Sequence, residues 1–207
     1  MKIKGSTGVK RERKLKPRKE SHLVARDGFA ELDSYLLKCR IFDSGAGSIW
    51  QDLQRIFTEM GVKPVLIGGM AIRLFAEPVM TYDFDILLSR DDFLALKKTG
   101  KRYGLIYKQA GTFRYKDTMI ECQVEGEKIG SNAIPSPELI RGERFSPTLE
   151  GIFFLKLLSF RPRDREHLSR LFSKGIDEDK LHVLIRSYRK KELWDRYQEL
   201  KKFWTFK

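Results

Sequence analysis

The apolar positions of this chain change period several times, and each change marks an element. Between Asp27 and Phe42, the residues Phe29, Leu32, Leu36 and Cys39 recur at helical spacing and predict an amphipathic helix. Asp43-Ser-Gly-Ala-Gly breaks it. Ser48, with Gln51 three residues on, then has the form of a capping box, opening a second helix over Ile49–Met60 that Gly61 ends. Trp50, Leu53, Ile56 and Phe57 fall on one face of that helix and are expected in the core. The apolar run Pro64–Ile67 is short enough for a buried strand. Gly68-Gly69 follows, and Met70–Ala76 returns to helical period through Ala71, Ile72 and Phe75. After Pro78, Tyr82–Leu88 reads as a second strand in which Asp83 and Asp85 share a face while Phe84 and Ile86 take the other.

Farther on, Ser89 or Asp91 can cap a helix from Asp92 to about Tyr103. Three short strands are then predicted at Gly104–Gln109, Thr112–Lys116 and Met119–Glu125, with Lys116-Asp117-Thr118 as the turn between the last two. In the third, Met119, Glu121, Gln123 and Glu125 alternate with Ile120, Cys122 and Val124. The apolar set should face the helices, which puts Glu121 on the open face, where it can lie beside Asp83 and Asp85. Residues 126–142, with Pro135 and Pro137, are polar and turn-rich and mark a junction. Ser146-Pro147 has the cap and first-position proline of a helix start. The helix holds GIFFLKLLSF, apolar almost all round except for Lys156. Burying a lone ammonium is costly, so Lys156 needs an anion or a route to water. Gly175 closes this region, Asp177 can cap a helix over Glu178–Lys190, and Lys191–Trp204 forms a last one. Leu181, Leu184, Ile185 and Tyr188, then Leu193, Trp194, Tyr197 and Leu200, are the stripes of a helical bundle. The expected class is α/β (α+β): a mixed sheet flanked by helices, followed by a C-terminal helical bundle. Its divisions are a basic disordered arm at 1–20, an α/β domain at 21–134 and a helical domain at 135–207.

Composition adds a partner class and removes others. Of the 207 residues 41% are hydrophobic, enough for a packed core. The formal charge is +13, which favours a polyanionic partner or substrate. Residues 1–20 alone carry net +7, as a solubilising tail or as an arm that grips RNA phosphates. Cys39 and Cys122 offer neither a disulfide framework nor a zinc spacing, and His22, His167 and His182 are scattered. A reducing, cytoplasmic setting is the simplest expectation. No stretch nears the roughly 20 apolar residues that span a bilayer, so no membrane partner is expected, and the basic N-terminus lacks the apolar segment of a signal peptide.

The chemistry concentrates between Val65 and Leu88. Two carboxylates two residues apart on a strand repel, and one would stay protonated unless a cation lay between them. Mg²⁺ suits such a place, since it takes one or two carboxylates plus substrate phosphates. A strand ending in Gly-Gly before a helix lets backbone N–H groups approach an anion. Gly68, Gly69, Ala71, Thr81, Asp83 and Asp85 together resemble the motif of the nucleotidyltransferase superfamily with the DNA polymerase beta-like fold, particularly its small microbial abortive-infection and toxin-type members. Val79 stands where that family commonly has arginine.

The resemblance implies transfer of an NMP from an NTP to a hydroxyl, with Mg²⁺ or Mn²⁺ held by Asp83, Asp85 and a third acid. Glu121 is the candidate, one methylene longer than the family's usual aspartate, with Glu125 as fallback. It further implies a nucleotide site made by Gly68, Gly69, Thr81, Lys156 and Arg163. In the resembling enzymes a Lys-Leu-Leu helix followed by Arg-x-x-x-Asp closes over the nucleotide; here the counterparts are Lys156, Arg161, Arg163 and Asp164, with Arg161 one residue closer to Asp164 than in that pattern. Arg163 and Asp164 read either as a supporting pair or as a helix start. His167 stands where many relatives have a second acid. For the acceptor, RNA (a tRNA end in particular) fits the basic balance, with a protein hydroxyl or a small molecule such as an aminoglycoside as the other options. An antitoxin protein is the partner the toxin-type resemblance would add. The alternative function is a catalytically lapsed fold that binds RNA or a partner protein.

Overall fold

The computed structural model describes residues 45–76, 81 and 83–205; the helix read at Asp27–Phe42, the arm at 1–20, Cys39, Val79 and Tyr82 lie outside them. The first described helix, α1, runs over Gly45–Met60. It therefore starts before Ser48, which is a residue of its first turn and not its cap. A glycine in a helix costs about 1 kcal/mol. Trp50, Leu53, Ile56 and Phe57 are all buried on one face, and each contributes about 1.5–3 kcal/mol by leaving water. That packing outweighs the glycines. Gly61 ends the helix in the left-handed region, φ +67°.

Strand β1 is Val65–Ile67, and Gly68–Ile72 follows without a loop as the short helix α2. The helix read over Met70–Ala76 is thus shifted toward the chain start and finishes as a turn, with Phe75 and Ala76 donating backbone N–H groups to the Ile72 carbonyl. Strand β2 is Phe84–Leu88, shorter than the expected Tyr82–Leu88. Its parallel pairing with β5 begins at Phe84 opposite Ile120, which leaves Asp83 in the bend before the strand.

Ser89 caps α3 (Arg90–Thr99), accepting the N–H of Asp92 at 3.1 Å, and a 3₁₀ turn at Gly100–Tyr103 leads to the remaining strands. These are β3 (Ile106–Tyr107), β4 (Thr112–Tyr115) and β5 (Thr118–Val124), with the β4–β5 turn at the expected place. The sheet order is β1-β2-β5-β4-β3, antiparallel except for β2 against β5. One face carries Phe84, Ile120, Phe113 and Tyr107 and is covered by α1 and α3. Trp50 stacks on Phe84 with ring centroids 5.4 Å apart, and Phe93 meets Phe113 edge-on at 6.2 Å. The opposite face carries Asp85, Glu121 and Thr112 in one row across three strands.

The stretch 126–142 holds more structure than its composition suggests. A hairpin pairs β6 (Lys128–Ile129) with β7 (Asn132–Ala133), and Pro137–Ile140 forms the short helix α4. Strands of two residues carry no readable alternation, and this hairpin is held by what it docks on: Asn132 donates its side-chain amide to the Leu158 carbonyl at 3.0 Å, and the Tyr188 hydroxyl bonds the Ala133 carbonyl.

Helix α5 is Leu149–Ser159, capped by Thr148, which accepts the Gly151 N–H at 2.9 Å. Ser146-Pro147 is therefore not the helix start. Those two residues are held extended, because Gly142 donates to the Ser146 carbonyl and Thr148 donates to that of Ile140. Helices α6 (Pro162–Phe172), α7 (Glu178–Ser187) and α8 (Lys191–Thr205) complete the described chain. Asp177 caps α7 as expected, but the helix stops at Ser187 rather than Lys190, and Arg189 takes a left-handed φ of +57°. Leu181, Ile185, Leu193 and Tyr197 are buried, and α5 is buried along nearly its whole length as the hydrophobic centre of this bundle. Among the described residues no helix is long and apolar enough to cross a membrane.

Candidate active site

Asp85 sits in β2 between two neighbours fixed by register: Ile67 of β1 on one side and Glu121 of β5 on the other. The parallel β2–β5 pairing brings together two acids 36 positions apart in the sequence. Gly68 lies directly beneath the Asp85 side chain: a Cβ there would stand 1.8 Å from Asp85 Oδ2. Its φ of +68° is also one that side chains resist. Gly69 is crowded by Thr81, whose methyl carbon would stand 2.9 Å from an added Cβ. The glycine pair thus lets Asp85 and Thr81 close onto the backbone at the start of α2.

We expect Gly68→Ala to lower stability more than Gly61→Ala, since both residues have φ near +68° but Gly61 has nothing within 4 Å of its added carbon. The backbone strain common to both is about 1–2 kcal/mol; the carboxylate clash should add about 1–3 kcal/mol at Gly68 alone. Equal losses in denaturant melts would show that Asp85 moves aside freely.

Across from the sheet, α5 and the start of α6 close a cavity of about 140 Å³. Gly68, Gly69, Thr81, Asp85, Glu121, Lys156 and Arg163 all line it. The sequence-selected set is therefore gathered into one place, with one exception: Asp83, in the bend before β2, is not part of the lining. The volume is below the roughly 300–1,000 Å³ of a typical small-molecule pocket, a size suited to an ionic group and its counter-charges. Gln123, Ser159 and His167 also line it, beside the candidates that the sequence pattern singles out. Gln123 was legible, because it lies two residues beyond Glu121 on the same strand face. Ile129 of the β6–β7 hairpin contributes an apolar wall that nothing in the local pattern announced.

The Lys156 ammonium is buried, and its anion is Asp164, at 3.2 Å. Asp164 is fully inaccessible and accepts from three other donors: the Ser159 hydroxyl at 2.6 Å, the Arg161 backbone N–H at 2.9 Å and Arg161 Nε at 3.1 Å. Asp164 therefore ties the end of α5 to the beginning of α6. Its partners are Lys156, Ser159 and Arg161, so the supporting pair is not Arg163 with Asp164; Arg163 is exposed and faces the cavity. His167 lies near Asp164, its Nδ1 at 3.9 Å with no hydrogen-bond partner among the described residues.

These placements set the charge states. Burial pushes the Asp85 carboxyl up to about 6, and Glu121 and then Asp83 add to that, against the pull of Lys156 and Arg163. For Asp164, burial acts upward but is outweighed by the Ser159 hydroxyl, Lys156 and the Arg161 N–H, which hold it at about 2. Burial moves Lys156 below the usual lysine range, with Asp164 opposing. Burial and then Lys156 lower His167. Cys122, on the buried face of β5, is raised by burial, which makes its thiol unreactive.

The donor set bears on a divalent ion. Among the described residues no group of three or more His, Cys, Asp or Glu side chains is placed to hold a metal. Two carboxylates on adjacent strands, Asp85 and Glu121, share the cavity, and one or two carboxylates plus phosphate oxygens is what Mg²⁺ takes. The residues fit an ion completed by a substrate, not one caged by protein alone.

No known protein family matches the sequence, and no curated protein matches it. Among solved structures, the chain is similar to the crystal structure of ANT(2")-Ia in complex with adenylyl-2"-tobramycin. That match has a TM-score of 0.49 and 15% identity, covering 70% of this chain and 97% of that one. It is also similar to the solution structure of the antibiotic-resistance factor ANT(2'')-Ia, with a TM-score of 0.47 and 14% identity, over 77% of this chain and 97% of that one. At those scores the likeness is one of general layout.

Proposed function

We propose that this chain is a metal-dependent nucleotidyltransferase that moves an NMP from an NTP to the hydroxyl of an RNA end. The observation that carries the reading is the pairing of Asp85 with Glu121 across β2 and β5, facing the Lys156 ammonium in one cavity floored by Gly68. In the reaction the acceptor oxygen gives up its proton to solvent water and bonds to the α-phosphorus, while the bond from that phosphorus to the bridging oxygen of pyrophosphate breaks and pyrophosphate leaves with the electron pair. Lys156 and Arg163 supply positive charge where the leaving pyrophosphate gathers negative charge. Gly68 and Gly69 admit the phosphates close to the backbone, and Thr81 offers a hydroxyl beside them. Asp85 and Glu121, with Asp83 behind them, would hold Mg²⁺ or Mn²⁺, which supplies Lewis-acid activation of phosphate and of the attacking hydroxyl. Asp85, at about 6, is ionised for this role near neutral pH.

One observation favours a second reading, a binding module without transfer: Asp83 stands outside the cavity and no three-carboxylate group forms. The test is to incubate the protein with each α-labelled NTP, Mg²⁺ or Mn²⁺, and total RNA or total protein. Label in the RNA fraction, abolished by chelator, is the expected result. Absence of labelled product in either metal with any acceptor, together with chelator-insensitive RNA binding, would establish the binding module instead.

A further inference from the structure

The sheet face that carries Asp85 and Glu121 does not end at the cavity. Helix α5 covers it over β1 and β2, where Ile152, Leu155 and Lys156 face Ile67 and Asp85. Beyond Glu121 the same face continues over β4 and β3. Thr112 is the Cα partner of Glu121, Arg114 is the partner of Met119, and Ile106 is the partner of Arg114. The ladder runs one step past β3, with the Lys108 N–H on the Thr112 carbonyl at 2.9 Å. Lys108 thereby continues the row Asp85–Glu121–Thr112.

The exposure of this region is uneven in an informative way. Arg114 and Lys108 are exposed, and neither has an ion pair among the described residues. Ile106 is 40% exposed, Met119 is half-buried, and Arg114 stands between them in the row across β3, β4 and β5. The face thus carries two cations, with an apolar side chain on either side of Arg114, in register with a carboxylate of the site. Diagonal neighbours on adjacent strands stand about 7–8 Å apart, which relates Arg114 to Glu121. Two strand spacings, about 10 Å, relate Lys108 to Glu121.

On the nucleotidyltransferase reading above, we infer that this open face of β4 and β3 positions the acceptor, and that the acceptor is a single-stranded nucleic-acid end. A hydroxyl seated at Glu121 places the next phosphodiester back along the strand within reach of the long Arg114 side chain, and the one after it toward Lys108. The adjoining bases have Met119, Ile106 and the guanidinium plane to lie against. A polycationic small molecule would meet two like charges here. An acidic protein segment would satisfy the cations but would leave Ile106 and Met119, on either side of Arg114, without planar groups to cover them.

The test uses the full-length chain, a fluorescent single-stranded RNA oligonucleotide with a free 3′ hydroxyl, and anisotropy titrations across a salt series. NTP transfer is assayed in parallel. Removing two phosphate contacts should reduce the slope of log affinity against log salt by about 1.4, at roughly 0.7 per contact on a single strand. Arg114→Ala with Lys108→Ala is therefore expected to show that slope change and a roughly tenfold or greater loss of affinity at 0.1 M salt. KM for the RNA should rise in step, while KM for the NTP and the melting temperature stay as in the native chain. Arg114→Lys should keep most of the slope. The inference is overturned if the double variant binds RNA with native affinity and slope, or if the native chain does not bind the oligonucleotide. Transfer to protein or to an aminoglycoside that is indifferent to both substitutions would also overturn it. Slope loss in the double variant with no transfer by the native chain would uphold the surface and defeat the transferase reading, so the two failures are distinguishable.

Discussion

Asp164→Asn is expected to lower stability by about 3–5 kcal/mol, because it strands the Lys156 ammonium in the interior. The Lys156 side chain is 8% exposed, and its ion-pair partner among the described residues is Asp164, itself inaccessible. Asparagine preserves the shape and an acceptor for the Ser159 hydroxyl, so the loss reports charge more than packing. For a chain of this length the melting temperature should fall by roughly 10 °C. Pairing the change with Lys156→Met should recover most of that loss, since replacing both partners of a buried ion pair is often neutral; a double variant as unstable as the single one would refute the account. The pH dependence has a definite sign. Asp164 is held near 2 in the fold, below its ordinary value near 4, so its contribution is complete above about pH 4 and is lost as pH falls toward 2. Acid melts of the native protein should show that loss, and those of Asp164→Asn should not.

Asp85→Asn should act in opposite directions on stability and on chemistry. The native Asp85 is raised to about 6, so the fold prefers it protonated. Below about pH 4 it is protonated folded or unfolded and costs nothing; as pH rises from 4 to 6 the penalty grows, and above 6 it is complete. Two units correspond to about 2–3 kcal/mol. At pH 7.5 the variant should therefore melt several degrees higher than the native chain, with the advantage gone at pH 4. Transfer should fall by roughly a thousandfold, because several kcal/mol of charge stabilisation at phosphate are lost and each 1.4 kcal/mol is tenfold. Mg²⁺ with NTP should raise the melting temperature of the native chain and not of the variant, since only the native fold then binds the pair. A variant that keeps the full thermal shift would move the ion site away from Asp85.

Much of this arrangement was legible along the chain, and the reasons differ from residue to residue. Strand β5 was readable because its seven residues alternate cleanly, so Glu121 could be put on the open face before any partner was known. Lys156 was conspicuous because a charge in an apolar helix demands explanation. Its partner was not readable, since Asp164 reads first as a cap for α6, a role it also fills by accepting the Arg161 N–H; the turn at Phe160, in the left-handed region at φ +42°, brings it back under the ammonium as well. Ser48 and Ser146-Pro147 misled as helix starts. Local capping preferences are worth about 1 kcal/mol, less than the burial of Trp50 and its neighbours or the backbone ladder that holds Ser146-Pro147 extended. Gly68-Gly69 suggested a phosphate cradle, and the geometry adds a second requirement for the pair, the close approach of Asp85 and Thr81.

Period, charge and turn residues act over a few neighbours, so the local pattern carries the kinds and approximate extents of most elements outside 126–142 and marks the residues with unusual chemistry. Long-range packing is what lays β2 parallel to β5 so that Asp85 meets Glu121, puts Asp83 in a bend outside the cavity, and brings in the β6–β7 hairpin as one wall. Those outcomes depend on the register of strands tens of residues apart and on side chains buried against distant helices. Register is set by how the whole hydrophobic face packs, and no local window of the chain contains that information.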